Sequence, residues 1–277
     1  MTDAGPAAVP QGDREPLGTP RAEKLRFVLV HGGFHGAWCW SRTIDELRRL
    51  GHHARAVDLP GHGSRRHEVE PTTIAGRREA ILSVLEPGDV LVGHSGGGFD
   101  ITMAADAAPD RVGHLVYLTA ALPREGHTWP EAMAMRDDGT IGDFDVAGML
   151  AHLKVADDGS MSIATVEGAR RLFFHDCDDA TVEWAFSQLC PERAGETSTT
   201  PTSIPNFWSA DLPRSCIHCL QDHAQPAWLS ELVASRLGVT PLTIDTSHSP
   251  FLSRPAELAA LLAHAVTTTP IAPLRPN

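Results

Sequence analysis

The sequence predicts an α/β protein: a mostly parallel central sheet flanked by helices, with an inserted cap. Three observations carry that reading. Short apolar runs rich in Val, Leu and Ile alternate with longer stretches of helical character. Turn residues separate them, as in Asp58-Leu59-Pro60-Gly61 and Glu86-Pro87-Gly88. Residues 89–99, D-V-L-V-G-H-S-G-G-G-F, pass from strand into helix over one serine flanked by glycines.

Taken in order, residues 1–23 are rich in Pro, Gly, Ala and acid, which predicts a flexible tail and no signal peptide. Leu25–Val30 reads as a strand, Ser41–Leu50 as a helix stopped by Gly51, and His53–Val57 as the next strand. Thr73–Leu85 is expected as a helix, Val90–Val92 as a buried strand, Phe99–Ala108 as a helix and Val112–Thr119 as a strand. At Pro123 the periodicity weakens and Trp, Met and Phe become frequent. Leu153–Val155 and Met161–Ala164 read as a hairpin with Asp157-Asp158-Gly159 at its tip, and Thr165–Phe174 and Ala180–Cys190 as helices. The core resumes with strand Ser215–Leu220, helix Ala227–Leu237, strand Thr240–Asp245 and helix Ala256–Val266. The expected division is a core of residues 24–122 and 213–267, a cap of 123–212, and a coil of 268–277 trailing from the end.

Composition narrows the partners. A net charge of −12 argues against nucleic acid and anionic membrane surfaces, both of which require a basic patch. No run approaches the roughly 18 apolar residues of a membrane helix. Cys39, Cys177, Cys190, Cys216 and Cys219 are odd in number. Cys216 and Cys219 have C-x-x-C spacing, but they fall inside a strand with no second pair, so buried thiols in a reducing cytoplasm are expected rather than a metal site.

The apex serine, Ser95, is the candidate nucleophile. A chain that turns this sharply needs glycine on both sides, because a Cβ there would clash. The helix that follows presents free amides to a developing oxyanion. A serine hydroxyl also needs a base and an orienting carboxylate. His248 lies in Thr246-Ser247-His248-Ser249-Pro250, after the last core strand, where a base would meet Ser95. Asp222 follows the preceding strand and is the favoured acid. Glu125, after the strand ending at Thr119, is the alternative, while Asp245, within a strand and only three residues from His248, is awkwardly placed to reach its ring. Gly96 and, in His31-Gly32-Gly33-Phe34, Gly33 are the candidate oxyanion amides. His62 is expected to hold its loop beneath the site and His94 to pack under the turn. Phe34, Trp129 and Trp184 are candidates to contact substrate, with packing inside the cap as the competing role for the two tryptophans.

F-V-L-V-H-G-G-F-H-G-A-W-C-W (27–40), D-L-P-G-H-G (58–63), G-H-S-G-G (93–97) and S-H-S-P-F-L-S-R-P (247–255) resemble the plant methylesterase and hydroxynitrile lyase branch of the α/β-hydrolases, over roughly residues 25–265. The resemblance implies the α/β-hydrolase fold and no metal or organic cofactor. Bacterial relatives of the branch are typically esterases, lactonases or tailoring hydrolases. Its lyases use a threonine in the H-T loop and a lysine directly after the catalytic histidine. Here those positions are Gly32 and Ser249, so the esterase pattern remains. The expectation is a serine hydrolase of a small, hydrophobic or aromatic ester or lactone, acting through an acyl-enzyme. A lyase or a hydrolase-like ligand-binding protein are the alternatives, and a homodimer is left open.

Overall fold

The computed structural model describes residues 24–68, 72–143, 146–193 and 195–277; the expected tail of residues 1–23 lies outside the described residues. β1 (Arg26–Val30) is followed by α1 (Ser41–Arg49), β2 (His53–Val57), α2 (Ile74–Leu82), β3 (Asp89–His94), α3 (Gly97–Ala107) and β4 (Val112–Leu118). The segment between β4 and the next core strand, expected as a cap, holds α4 (Trp129–Ala134), α5 (Val146–Leu150), the antiparallel hairpin β5 (Leu153–Val155) and β6 (Met161–Ile163), α6 (Val166–Ala169), α7 (Asp179–Gln188) and α8 (Pro205–Ser209). β7 (Arg214–Cys219), α9 (Ala227–Leu237), β8 (Leu242–Ile244), α10 (Pro250–Ser253) and α11 (Pro255–Ala265) complete the core.

The six core strands are parallel, in the order β2-β1-β3-β4-β7-β8. Strands covered on both faces need apolar residues on both, which is why β1 and β3 read as continuous apolar runs. Val28, Val30, Leu91, Leu115 and Tyr117 face a layer containing Ile81, Ala104, Leu229 and Val233 of α2, α3 and α9. Phe27, Leu29, Val90, Val92 and Val116 face the opposite layer, with Leu47 of α1 and Leu258 and Leu262 of α11. Phe173, Phe174 and Val182 of the cap segment join this second layer.

Three expectations change. α2 ends at Leu82, and Val84 and Leu85 close it with turn bonds to the Ile81 carbonyl. β8 is only three residues long because the chain bends directly after it, the Thr246 amide bonding Ile244 O. Thr165–Phe174 is not one α-helix: α6 widens into a π-turn over Arg170–Phe174.

The end of the chain is a larger correction. It is coil, but it does not trail. Ile271 and Ala272 amides bond Gly238 O, and the Arg275 amide bonds Arg236 O. The physical cause is a pair of buried arginines that need acceptors: Arg214 donates to Ala272 O at 2.8 Å and Arg236 to Pro276 O at 2.7 Å.

Parallel strands put all their carboxyl ends on one edge. His31 follows β1, Ser95 follows β3, Thr119 follows β4, and Asp222 and His248 lie in the loops after β7 and β8.

Candidate active site

Ser95 has φ +52°, a region L-residues rarely adopt and which costs about 1–3 kcal/mol. The neighbouring glycines are sterically required. A Cβ on Gly93 would stand 2.6 Å from Gly97 O, and one on Gly97 would stand 2.6 Å from His31 O. The apex is tied down by its backbone: Ser95 N donates to Leu118 O, and Ser95 O accepts from Gly98 N and Ala121 N. Ser95 is half-buried at the N-terminal end of α3.

His248 is buried, and its Nδ1 donates to Asp222 Oδ2 at 2.7 Å. That leaves Nε2 as the basic nitrogen. Among the described residues the Ser95 hydroxyl and the His248 ring are not hydrogen-bonded to each other; such bonds tighten when substrate occupies a site. His94 Nε2 donates to His248 O at 2.9 Å, and its ring lies 4.6 Å from that of His248, so His94 does pack under the turn.

The Asp222 carboxylate is fully engaged. Oδ1 accepts from the amides of Ala224 (2.7 Å) and Gln225 (2.8 Å), and Oδ2 also accepts from Thr119 Oγ1 at 2.5 Å. Burial pushes its pKa up, but the His248 charge and the hydrogen bonds from His248, Thr119 and Gln225 outweigh this and hold it below the usual carboxylate value. Glu125 is elsewhere: its Oε2 accepts from Ile204 N and Trp208 Nε1. Asp245 accepts from Gln221 Nε2. Asp222 is therefore the carboxylate that reaches His248.

Gly33 and Gly96 are neighbours, since a Cβ on Gly96 would lie 3.7 Å from Gly33 N. His31 Nδ1 donates to Gly32 O at 2.8 Å while its Nε2 accepts from Leu59 N, which fixes the tautomer. Burial, aided by the neighbouring His62, pushes the His31 pKa well below its ordinary value, and burial with the neighbouring His248 does the same to His94. Burial also takes His35 down to about 4.

Of the proposed substrate contacts, Phe34 is half-buried with its ring 6.1 Å from Phe173, whose ring in turn lies 5.7 Å from His248. Trp129 packs on the other layer, with Phe207 and Leu122. Trp184 is 39% exposed and meets Trp38 edge-on, because α7 turns Val182 and Ala185 inward and position 184 outward. Among the described residues neither tryptophan ring meets that of Phe34, although Trp184 reaches the same layer through Trp38. Phe173, Thr119 and Glu192 surround the site without having been singled out by sequence. Thr119 carries a signal, since it ends β4 one residue beyond the strand.

His62 holds its loop as expected, with Nδ1 on Pro60 O and Nε2 on Glu192 Oε2. The five cysteines are free and buried, and no group of three His, Cys, Asp or Glu side chains is placed for a metal among the described residues. A cavity of about 720 Å³ lies away from this edge, lined by His114, Trp208 and the chain end from Val266 to Leu274.

A parallel α/β sheet with a serine at the strand–helix apex, and a histidine–carboxylate pair beside it, defines the class. The chain belongs to the alpha/beta hydrolase family, whose pattern matches residues 27–261. Esterase PIR7B of Oryza sativa subsp. japonica is 40% identical over 112 residues, 38% of this chain and 42% of the relative, so the match spans about two-fifths of that relative's length. Methylesterase 18 of Arabidopsis thaliana is 29% identical over 266 residues, 87% of this chain and 97% of the relative. A pyrethroid hydrolase from Sphingobium faniae JZ-2 shares the fold with a TM-score of 0.71 and 23% identity, covering 88% of this chain and 98% of its own.

Proposed function

We propose that the protein is a cofactor-independent serine esterase that cleaves a small, hydrophobic carboxylic ester or lactone through an acyl-enzyme. The observation that carries this reading is the strained apex of Ser95 on the same sheet edge as a His248 ring already oriented by Asp222. Ser95 Oγ attacks the carbonyl as His248 Nε2 takes its proton. The amides of Gly33 and Gly96 receive the oxyanion, and Asp222 stabilises the imidazolium. His248 then returns the proton to the departing alkoxide. Water, deprotonated by the same nitrogen, releases the acid and regenerates Ser95.

The relatives' names support ester hydrolysis, and Phe34 and Phe173 support an apolar acyl or alcohol group near His248. Ser249, uncharged beside His248, supports hydrolysis over cyanohydrin cleavage. Five free, buried thiols support a reducing, cytoplasmic site of action, and a net charge of −12 supports a small-molecule substrate over nucleic acid or an anionic membrane surface. The test is hydrolysis of p-nitrophenyl acetate, methyl esters and lactones alongside fluorophosphonate labelling. Ser95→Ala is expected to abolish both turnover and label; full activity in that variant would overturn the mechanism.

A further inference from the structure

The Gly33–Phe34 peptide is clamped at both ends. Its carbonyl accepts from His35 Nδ1 at 2.7 Å, and its N–H donates to Glu192 Oε2 at 3.1 Å. The preceding peptide is held only at its carbonyl, by His31. Its N–H, that of Gly33, has no hydrogen-bond partner among the described residues. Phe34 sits at φ +65°, so this loop needs outside restraint to keep its shape.

Glu192 supplies that restraint from the cap segment. Its backbone pairs with Met161 of β6 through two bonds of 2.7 and 2.8 Å, and Cys190 N bonds Phe34 O at 2.9 Å, so this edge of the cap lies along the loop. Glu192 Oε2 also accepts from His62 Nε2 at 3.0 Å, and Oε1 lies 3.9 Å from Arg77 Nη1. Arg77 is bidentate on Asp100 of α3, at 2.7 and 2.8 Å, the helix that starts behind Ser95. Burial pushes the Glu192 carboxyl up, but His62, Arg77 and the Phe34 amide outweigh it and hold it at about 2. It is a carboxylate, a strong acceptor, at any working pH.

We propose that Glu192 is a positioning residue through which the cap sets the oxyanion loop, so that the Gly33 amide is in place only while the cap edge is seated. This rests on the serine-esterase reading above. A cap that lifts withdraws Glu192 from Phe34 N, frees the strained loop and disarms the site as it opens. Hydrolysis is thereby confined to the cap-seated state.

The test compares the full-length protein with Glu192→Ala and Glu192→Gln. The readouts are kcat and KM for p-nitrophenyl acetate, and inhibition by an aryl trifluoromethyl ketone, which forms a tetrahedral adduct, and by its fluorine-free parent ketone, which binds as ground state. Loss of a whole oxyanion donor costs about 100-fold or more, so a loosened one is expected to cost about 10-fold in kcat with KM little changed. Glu192→Ala should weaken the trifluoromethyl ketone by the same factor and leave the parent ketone within about twofold. Glu192→Gln, which keeps one acceptor oxygen, should fall between; should the alanine variant not fold, it carries the comparison alone. Unchanged kcat and adduct affinity in a folded variant, or equal weakening of both ketones, would overturn the proposal. Activity surviving in Ser95→Ala would instead sink the underlying serine reading.

Discussion

Asp222 Oδ2 accepts two hydrogen bonds at once, from His248 Nδ1 at 2.7 Å and from Thr119 Oγ1 at 2.5 Å. The carboxylate is thus aimed by a residue of the neighbouring strand end as well as by its own loop. Asp222→Asn is expected to leave the fold intact and lower kcat by about 10⁴-fold, because the amide favours the wrong imidazole tautomer. Thr119→Val removes one bond to a charged acceptor, and about 10-fold in kcat is expected from that. Steady-state kinetics on p-nitrophenyl acetate read both. A Thr119→Val enzyme with wild-type kcat would show that the Asp222 loop alone sets the geometry.

Gly32 leaves no space for a side chain. A Cβ there would stand 2.6 Å from Ser95 Cβ and 3.0 Å from His94 O. Gly32→Ala is therefore expected to displace the apex, costing about 1–3 kcal/mol of stability and most of the esterase activity. Gly32→Thr, which restores the lyase-type residue, should lose hydrolysis without releasing cyanide from mandelonitrile. Urea unfolding and a cyanide assay decide the matter, and an active, stable Gly32→Thr protein would contradict the steric argument.

What sequence makes legible here is local sterics and strand order. The glycines around Ser95 are a signature of a backbone that cannot tolerate Cβ atoms, and such a signature needs no partner elsewhere in the chain. The pairing of Asp222 with His248 is legible because each lies in the loop after its own strand, and parallel strands share an edge. Glu192 is not legible: its partners Phe34 and His62 are 158 and 130 residues away, and no local pattern encodes such a contact. The orientation of Trp184 is not legible either: sequence offers substrate contact or packing for an aromatic residue there, and only the packing of α7, which buries Val182 and Ala185, leaves it 39% exposed against Trp38.

Buried histidines make the fold acid-sensitive. Burial holds both His35 and His114 at about 4, against about 6.5 in the unfolded chain, and neighbouring charges on His248 and Arg214 add to the shift. Between those values the unfolded state binds the proton and the native state does not, so stability falls as pH drops through 6.5 and stops falling below about 4. Each histidine contributes up to about 3 kcal/mol to this loss. His114→Gln should flatten the dependence of urea-unfolding free energy on pH between 6 and 4.5 by about one proton. An unchanged slope would mean that His114 is protonated in the native state.

The chain end acts as a structural strap, and its removal tests that most directly. Arg214 is buried with Leu237 O (2.5 Å), Leu212 O (2.9 Å) and Ala272 O (2.8 Å) as acceptors. Arg236 is buried with Pro123 O (2.8 Å), Leu122 O (3.4 Å) and Pro276 O (2.7 Å), and burial with the nearby Arg124 lowers its pKa to about 10. Ending the chain after Pro270 strips one acceptor from each guanidinium. Hydrogen bonds to charged groups contribute about 1.5–3 kcal/mol each, so a loss of roughly 3–6 kcal/mol is expected. At about 2–4 °C per kcal/mol for a domain of this size, Tm should fall by about 6–24 °C. Because none of the strap's bonds is made to Ser95, Asp222 or His248, kcat measured well below the transition should be unchanged. A truncated protein that melts with the full chain would show that water replaces both carbonyls, and that the last residues are the loose tail their composition suggests.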